Sequence, residues 1–139
     1  MGGAVTGSGG VVAPCPSVQQ AIVAQSAGDV VIVGPGTYNE NIVFMGKAVT
    51  VRSSGGALAT TIQGDGTRSV VWCINYEGPG SALDGFTVTG GANTTHGGGV
   101  RIWASHPIIR NCLIYGNTSW DGGGITCSSA SGALIEGCT

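Results

Sequence analysis

Charged side chains are scarce in this 139-residue chain: they make up 9% of it, and 5 Lys and Arg against 7 Asp and Glu leave a net charge of −2. A surface so thinly charged cannot supply the electrostatic term on which nucleic-acid or anionic-membrane binding rests, which excludes both as main partners. No apolar run approaches the ~20 residues of a membrane-spanning helix, so no membrane insertion is expected. Met1-Gly2-Gly3-Ala4 lacks the basic start and apolar core of a signal peptide, so any export signal is expected to have been removed or never present. The five cysteines include no Cys-x-x-Cys pair, and neither a metal nor a cofactor is expected. With only 5 Pro and 42% hydrophobic residues, the 27 glycines point to frequent turns rather than disorder.

What is present is a repeat. Ile109-Arg110-Asn111-Cys112 is matched by Leu83-Asp84-Gly85-Phe86 before it, by Ile135-Glu136-Gly137-Cys138 after it, and more loosely by Ile62-Gln63-Gly64-Asp65. The third position is always Gly or Asn, the residues that enter the left-handed region at least cost. Gly64, Gly85, Asn111 and Gly137 are therefore expected to form one column of corners with φ > 0. Gly97-Gly98-Gly99-Val100-Arg101-Ile102 is echoed by Gly122-Gly123-Gly124-Ile125-Thr126-Cys127, and such self-similarity marks stacked supersecondary units. Cys112 and Cys138 share one place in successive repeats. Their parallel Cβ vectors favour stacked free thiols over a strained disulfide.

Taken in order, residues 1–16 read as a flexible leader or a loosely docked strand, and 17–139 as one domain. Ser17, with Gln20 three residues on, makes a capping box for a short helix whose apolar face is Val18, Ala21 and Ile22. Residues 17–28 are expected to form a lid. From Asp29 onward the period is that of strands, with Gly34-Pro35-Gly36-Thr37-Tyr38 as a turn, and no helix is long enough for a βαβ crossover. Parallel strands then require a solenoid. Residues 30–33, 48–52, 70–75, 99–104 and 124–129 would form its first sheet, giving about five coils.

Ser17-Val18-Gln19-Gln20-Ala21-Ile22, Gly28-Asp29-Val30-Val31-Ile32-Val33, Pro35-Gly36-Thr37-Tyr38-Asn39-Glu40-Asn41-Ile42 and Gly85-Phe86-Thr87-Val88-Thr89-Gly90-Gly91 together resemble the start of right-handed parallel β-helix repeat proteins of the pectin lyase-like superfamily. The resemblance covers residues 17–139 and implies an all-β, right-handed parallel β-helix with an N-terminal helical cap. It also implies an extracellular or cell-surface location. Polysaccharide lyases, hydrolases, epimerases and surface adhesins all share this fold, so the fold does not choose an activity.

In the enzymes of that superfamily the substrate lies along the outer face of one sheet. If Val49, Val51, Val71, Cys73, Val100, Ile102, Ile125 and Cys127 point inward, alternation places Thr50, Arg52, Trp72, Ile74, Arg101, Trp103, Thr126 and Ser128 outside. No carboxylate is among them, whereas glycoside hydrolysis needs two and a calcium-assisted lyase needs several oxygen ligands. Asp84, Arg110 and Glu136 fall on one outward column and read as an ion-pair ladder. Asp65 and Asp121 fall in turns. His96 and His106, as loop histidines without a partnered acid, receive no role.

No catalytic residue is assigned, and the chain is expected not to be an enzyme. Trp72, Arg101 and Trp103 are the candidate ligand residues: aromatic faces suit sugar rings, and a guanidinium suits hydroxyls or carboxylates. Coverage by turns or by another subunit is the competing account of the same exposure. The C-terminal end is expected to be open, with Ile125, Cys127 and Leu134 presenting apolar surface for self-association into a homo-dimer or higher assembly. The expected function is therefore a binding or assembly module whose partners are itself and polysaccharide. The alternative is the N-terminal portion of a polysaccharide lyase or hydrolase.

Overall fold

The computed structural model describes residues 5–7 and 17–139. In chain order its elements are β1 (Val5–Gly7), α1 (Val18–Ala24), β2 (Val30–Val33), β3 (Gly36–Asn39), β4 (Ile42–Val43), β5 (Thr50–Ser53), β6 (Thr60–Gln63), β7 (Val71–Cys73), β8 (Ala82–Asp84) and β9 (Thr87–Thr89). They continue with β10 (Ala92–His96), β11 (Val100–Trp103), β12 (Ile108–Arg110), β13 (Leu113–Ile114), β14 (Thr118–Asp121), β15 (Ile125–Ser128) and β16 (Leu134–Glu136). Three parallel sheets wrap one core, in the strand orders β2-β5-β8-β12-β16, β3-β6-β9-β13 and β4-β7-β11-β15. The chain is a parallel β-solenoid of about four turns. Within residues 1–16, β1 pairs antiparallel with β2; the rest of that segment, Cys15 included, lies outside the described residues.

Each sheet contributes at least one inward column. Val31, Val51, Leu83, Ile109 and Ile135 are in register along the first sheet. Tyr38, Ile62, Val88 and Ile114 line the second, and Ile42, Val71, Val100 and Ile125 the third. Phe44 and Phe86 fill the space between, fully buried. At ~1.5–3 kcal/mol for each fully buried side chain of this size, these columns are the main favourable term in folding.

Two expectations need correction. Strands β2 and β5 do not share a sheet with β7, β11 and β15; they stack under β8, while the two-residue β4 underlies β7. Accordingly the Pro-Gly-Thr-Tyr segment is not only a turn, since Gly36–Asn39 is itself a strand. The corner column is also shorter than expected. Gly85 (φ 83°), Asn111 (φ 53°) and Gly137 (φ 61°) form it, but Gly64 lies level with Gly90 on another corner and has no positive φ. Gly64 is needed for close approach instead, because a Cβ there would sit 3.0 Å from the Gly90 carbonyl oxygen.

The helix is tied down by side chains from the first turn. Ser17 Oγ accepts from Gln20 N at 3.0 Å, and the two Glu40 carboxylate oxygens accept from Val18 N and Gln19 N at 2.7 and 3.0 Å. Those are orphan donors of the first helical turn. At the other end Lys47 Nζ donates to the carbonyls of Ile22, Val23 and Gln25. The Gln19 amide donates to Val43 O and accepts from Val43 N, at 3.1 and 2.7 Å. Val18, Ala21 and Ile22 are buried as the alternation of the helix requires.

Cys73, Cys112, Cys127 and Cys138 are all free thiols. Cys112 Sγ donates to Arg110 O and Cys138 Sγ to Ile109 O, so both thiols are spent on backbone carbonyls.

Candidate functional site

The outer face of the β4-β7-β11-β15 sheet is built by register. Val43, Trp72, Arg101 and Thr126 stand level on successive strands, with Trp103 and Ser128 level one step further along. Thr50 and Arg52, expected on this face, belong to the neighbouring sheet. Among the described residues the face has no enclosed cavity, so a ligand here lies on a surface rather than in a pocket.

Trp72 is half-buried, with the Arg101 guanidinium carbon 5.5 Å and the Arg68 guanidinium carbon 5.6 Å from its ring centre. The ring is thus a seat for two cations, each attracted by its π-electrons, and not the open sugar platform expected. Trp72 Nε1 and Arg101 Nε are buried atoms without a hydrogen-bond partner among the described residues. Arg68 itself is exposed and makes no ion pair among the described residues. The acid near it, Asp65, accepts from the backbone and hydroxyl of Thr67, and those bonds, with a smaller share from the Arg68 charge, hold its pKa below the usual value.

The accessible aromatic surface lies further along the same face. Trp103 is 38% exposed and Tyr76 is 76% exposed, with ring centres 6.3 Å apart and planes tilted by 58°. Tyr76 has φ 61°, a strained conformation for a side chain of this size. The neighbouring Glu77 is 0% exposed and anchors it. Glu77 Oε1 accepts from Gly46 N at 3.0 Å, and Oε2 from Asn75 N and Ser105 Oγ, both at 2.8 Å. One carboxylate thus joins three turns of the solenoid, and its own carbonyl accepts from His106 N.

The remaining candidates sort differently. Arg110 Nε is 3.0 Å from Asp84 Oδ2, and Asn111 Nδ2 donates to Asp84 Oδ1 at 2.9 Å, so the outward column holds one ion pair; Glu136, level with Arg110, makes none among the described residues. His96 does have an acid partner: its Nδ1 lies 3.1 Å from Asp121 Oδ2, and Asp121 ends strand β14 rather than sitting in a turn. Thr126 Oγ1 accepts from Gly97 N and donates to Asp121 O, which ties this pair to the edge of the face. Ile125 is half-buried, Cys127 is exposed and Leu134 is 51% exposed. Leu134 stands over the half-buried Ile108, off the inward column; the inward residue of β16 is Ile135, 42% exposed over the buried Ile109. Among the described residues no group of three or more His, Cys, Asp or Glu converges.

Arg68, Tyr76, Glu77 and the role of Glu40 escaped sequence reasoning. The first three lie in irregular connections, where neither period marks a side chain as inward or outward. A usable signal for Glu77 was its place in a chain with so few charges, beside an aromatic residue and just ahead of Gly78-Pro79-Gly80.

No family model and no solved structure matches the chain. A stretch of 78 residues is 32% identical to a protein named cell surface glycoprotein from Methanothermus fervidus, covering 55% of this chain and 12% of that protein. The chain therefore spans about an eighth of the relative it matches. No helix among the described residues is long and apolar enough to cross a membrane.

Proposed function

We propose that the chain is a β-solenoid module of a cell-surface protein, and that it binds polysaccharide on the outer face carrying Trp72, Arg101 and Trp103. The observation that carries this reading is the gathering of exposed aromatic rings and guanidinium groups on one open face with no carboxylate among its outward side chains. Sugar rings stack on aromatic faces, and forked guanidinium donors match hydroxyl and carboxylate pairs. The surface location is supported by the name of the M. fervidus relative. Binding without turnover fits better than hydrolysis does, because this face has no outward carboxylate and Asp84, on the neighbouring sheet, is already engaged by Arg110 and Asn111.

A glycan array probed with the wild type and with Trp103→Ala tests it. The expected result is retention of a defined set of glycans by the wild type and a loss of about tenfold or more in affinity for the variant, equivalent to ~1.4 kcal/mol. An array without hits, or hits indifferent to the substitution, would remove the proposal.

Self-association is a second proposal, carried by the inward columns that run on through Ile125, Cys127 and Ile135, whose apolar side chains are partly in solvent. A second copy stacked there would bury them. Light scattering at micromolar concentration should then give a dimer or larger species, and Ile135→Lys should return it to a monomer; a wild-type monomer would end this reading.

A further inference from the structure

We infer that the open face is a two-part site for an acidic glycan, in which Arg68 and Arg101, seated on Trp72, take the carboxylate of a uronic acid while Tyr76 and Trp103 hold the adjacent neutral sugar. The inference rests on the polysaccharide-binding reading and adds the ligand's charge, its alternation and its direction across the sheet.

The charge follows from how the chain distributes its few cations. Of its 5 Lys and Arg, Lys47 is spent on helix carbonyls, Arg110 on Asp84, and the exposed Arg52 stands on β5 in the neighbouring sheet, whereas Arg68 and Arg101 converge on one ring. Neither takes part in an ion pair among the described residues. Two guanidiniums held within 5.6 Å of one ring centre repel each other, and a bound carboxylate offsets that repulsion. The buried Arg101 Nε, without a partner among the described residues, adds a donor still to be satisfied.

The alternation follows from strand geometry. Arg101 and Trp103 are two residues apart on β11 and point to the same side, so their side chains emerge ~6.6–6.8 Å apart, a distance suited to neighbouring sugar rings. Tyr76 extends the aromatic part away from the cations and forms with Trp103 a tilted pair suited to the edge and face of one ring. Aromatic rings favour an uncharged sugar face, so the acid and the stacked ring belong to different residues of the glycan. A chain bound this way runs along the strands, crossing the width of one coil.

Isothermal titration with three hexasaccharides tests this: a hyaluronan fragment, alternating acidic and neutral; cellohexaose, wholly neutral; and oligogalacturonate, acidic at every residue. The hyaluronan fragment is expected to bind about tenfold or more tighter than either of the others. Arg101→Gln, and the exposed Arg68→Gln as a variant with less risk to folding, should each narrow the gap to cellohexaose without weakening cellohexaose itself. Tyr76→Ala should weaken hyaluronan and cellohexaose by the same factor. If cellohexaose binds as well as hyaluronan, or the arginine variants keep the preference, the acidic half of the site is overturned while polysaccharide binding stands. If oligogalacturonate binds tightest, the neutral aromatic half is overturned. If none of the three binds and the glycan array is also empty, the polysaccharide reading falls and this inference falls with it.

Discussion

Arg101 and Arg110 stand on consecutive strands of the same turn, each facing outward, yet they meet different partners. One turn back along its column, Arg110 finds Asp84 and makes an ion pair at 3.0 Å; Arg101 finds Trp72 and settles over its ring. In a stacked coil the partner of an outward side chain is whatever the chain placed at the same register one turn away. The β12 face uses its charges within the protein. The face of β11 leaves two guanidiniums and two exposed rings available to something else. The corners beside the two faces differ in the same sense: Gly85, Asn111 and Gly137 turn the first with residues suited to φ > 0, while Met45, Tyr76, Ala104 and Ser129 turn the other with residues that are not.

The sharpest way to break this contrast is at Glu77. Glu77→Ala would take the carboxylate from the Gly46 and Asn75 amides, while the Ser105 hydroxyl keeps Trp103 O, and should cost about 2 kcal/mol in urea denaturation, at ~1–3 kcal/mol for each unsatisfied group. A loss under about 1 kcal/mol would show that the strained corner holds without its carboxylate. On the opposite corner, Asn111→Val forces a β-branched side chain into the left-handed region and should destabilise by ~1–3 kcal/mol. Asn111→Gly should lose only the exposed bond to Asp84, about 0.5 kcal/mol. If the two Asn111 variants melt together, the corner does not select for φ.

Smaller again is Asp84→Asn, which should cost no more than about 1 kcal/mol, as expected of a partly exposed ion pair, and leave glycan affinity unchanged. A drop in affinity would move the binding function onto that column. The least effect on stability is expected from thiol labelling. Burial raises the Cys112 thiol to about 11 from an ordinary 9.0, and raises Cys73 well above it, so both stay protonated near neutrality. Iodoacetamide at about pH 8 should therefore reach the exposed Cys127 before either, as peptide mapping would show. Because the folded value for Cys112 lies above the unfolded one, its share of stability is complete below about 9 and is lost as pH rises toward about 11. Early labelling of Cys73 or Cys112 would contradict their burial.

How far the sequence could be read depended on which interactions set each feature. Alternation along Val71-Trp72-Cys73 and Val100-Arg101-Ile102 identifies inward and outward residues, because a strand's side-chain period is fixed by its backbone. It does not say on which side of the coil a strand lies. That depends on the lengths of the connections: the interval from Leu83 to Ile109 equals that from Ile109 to Ile135, but Val31 to Val51 is shorter and Val51 to Leu83 longer. Gly64 was misplaced for this reason, as were β2 and β5. Tyr76 and Arg68 were invisible, and the contacts of Glu77 likewise, because they run to Trp103, Gly46, Ser105 and Trp72 through irregular chain. The His96–Asp121 pair was missed although the repeat aligns it, since each residue directly precedes the triple-glycine run of its own turn.

The bond between Gln19 and Val43 has a consequence for how the sheet can grow. Strand β4 forms one margin of its sheet, and a bare margin of this kind recruits further strands, from the same protein or from others, into open-ended polymers. The Gln19 amide offers Val43 one donor and one acceptor, as a passing peptide group would, and so occupies the place where an intruding strand would begin to zip. It is a surrogate peptide unit borrowed from a helix. A single side chain thereby satisfies both peptide groups of Val43, the two bonds that an added strand would need at that residue.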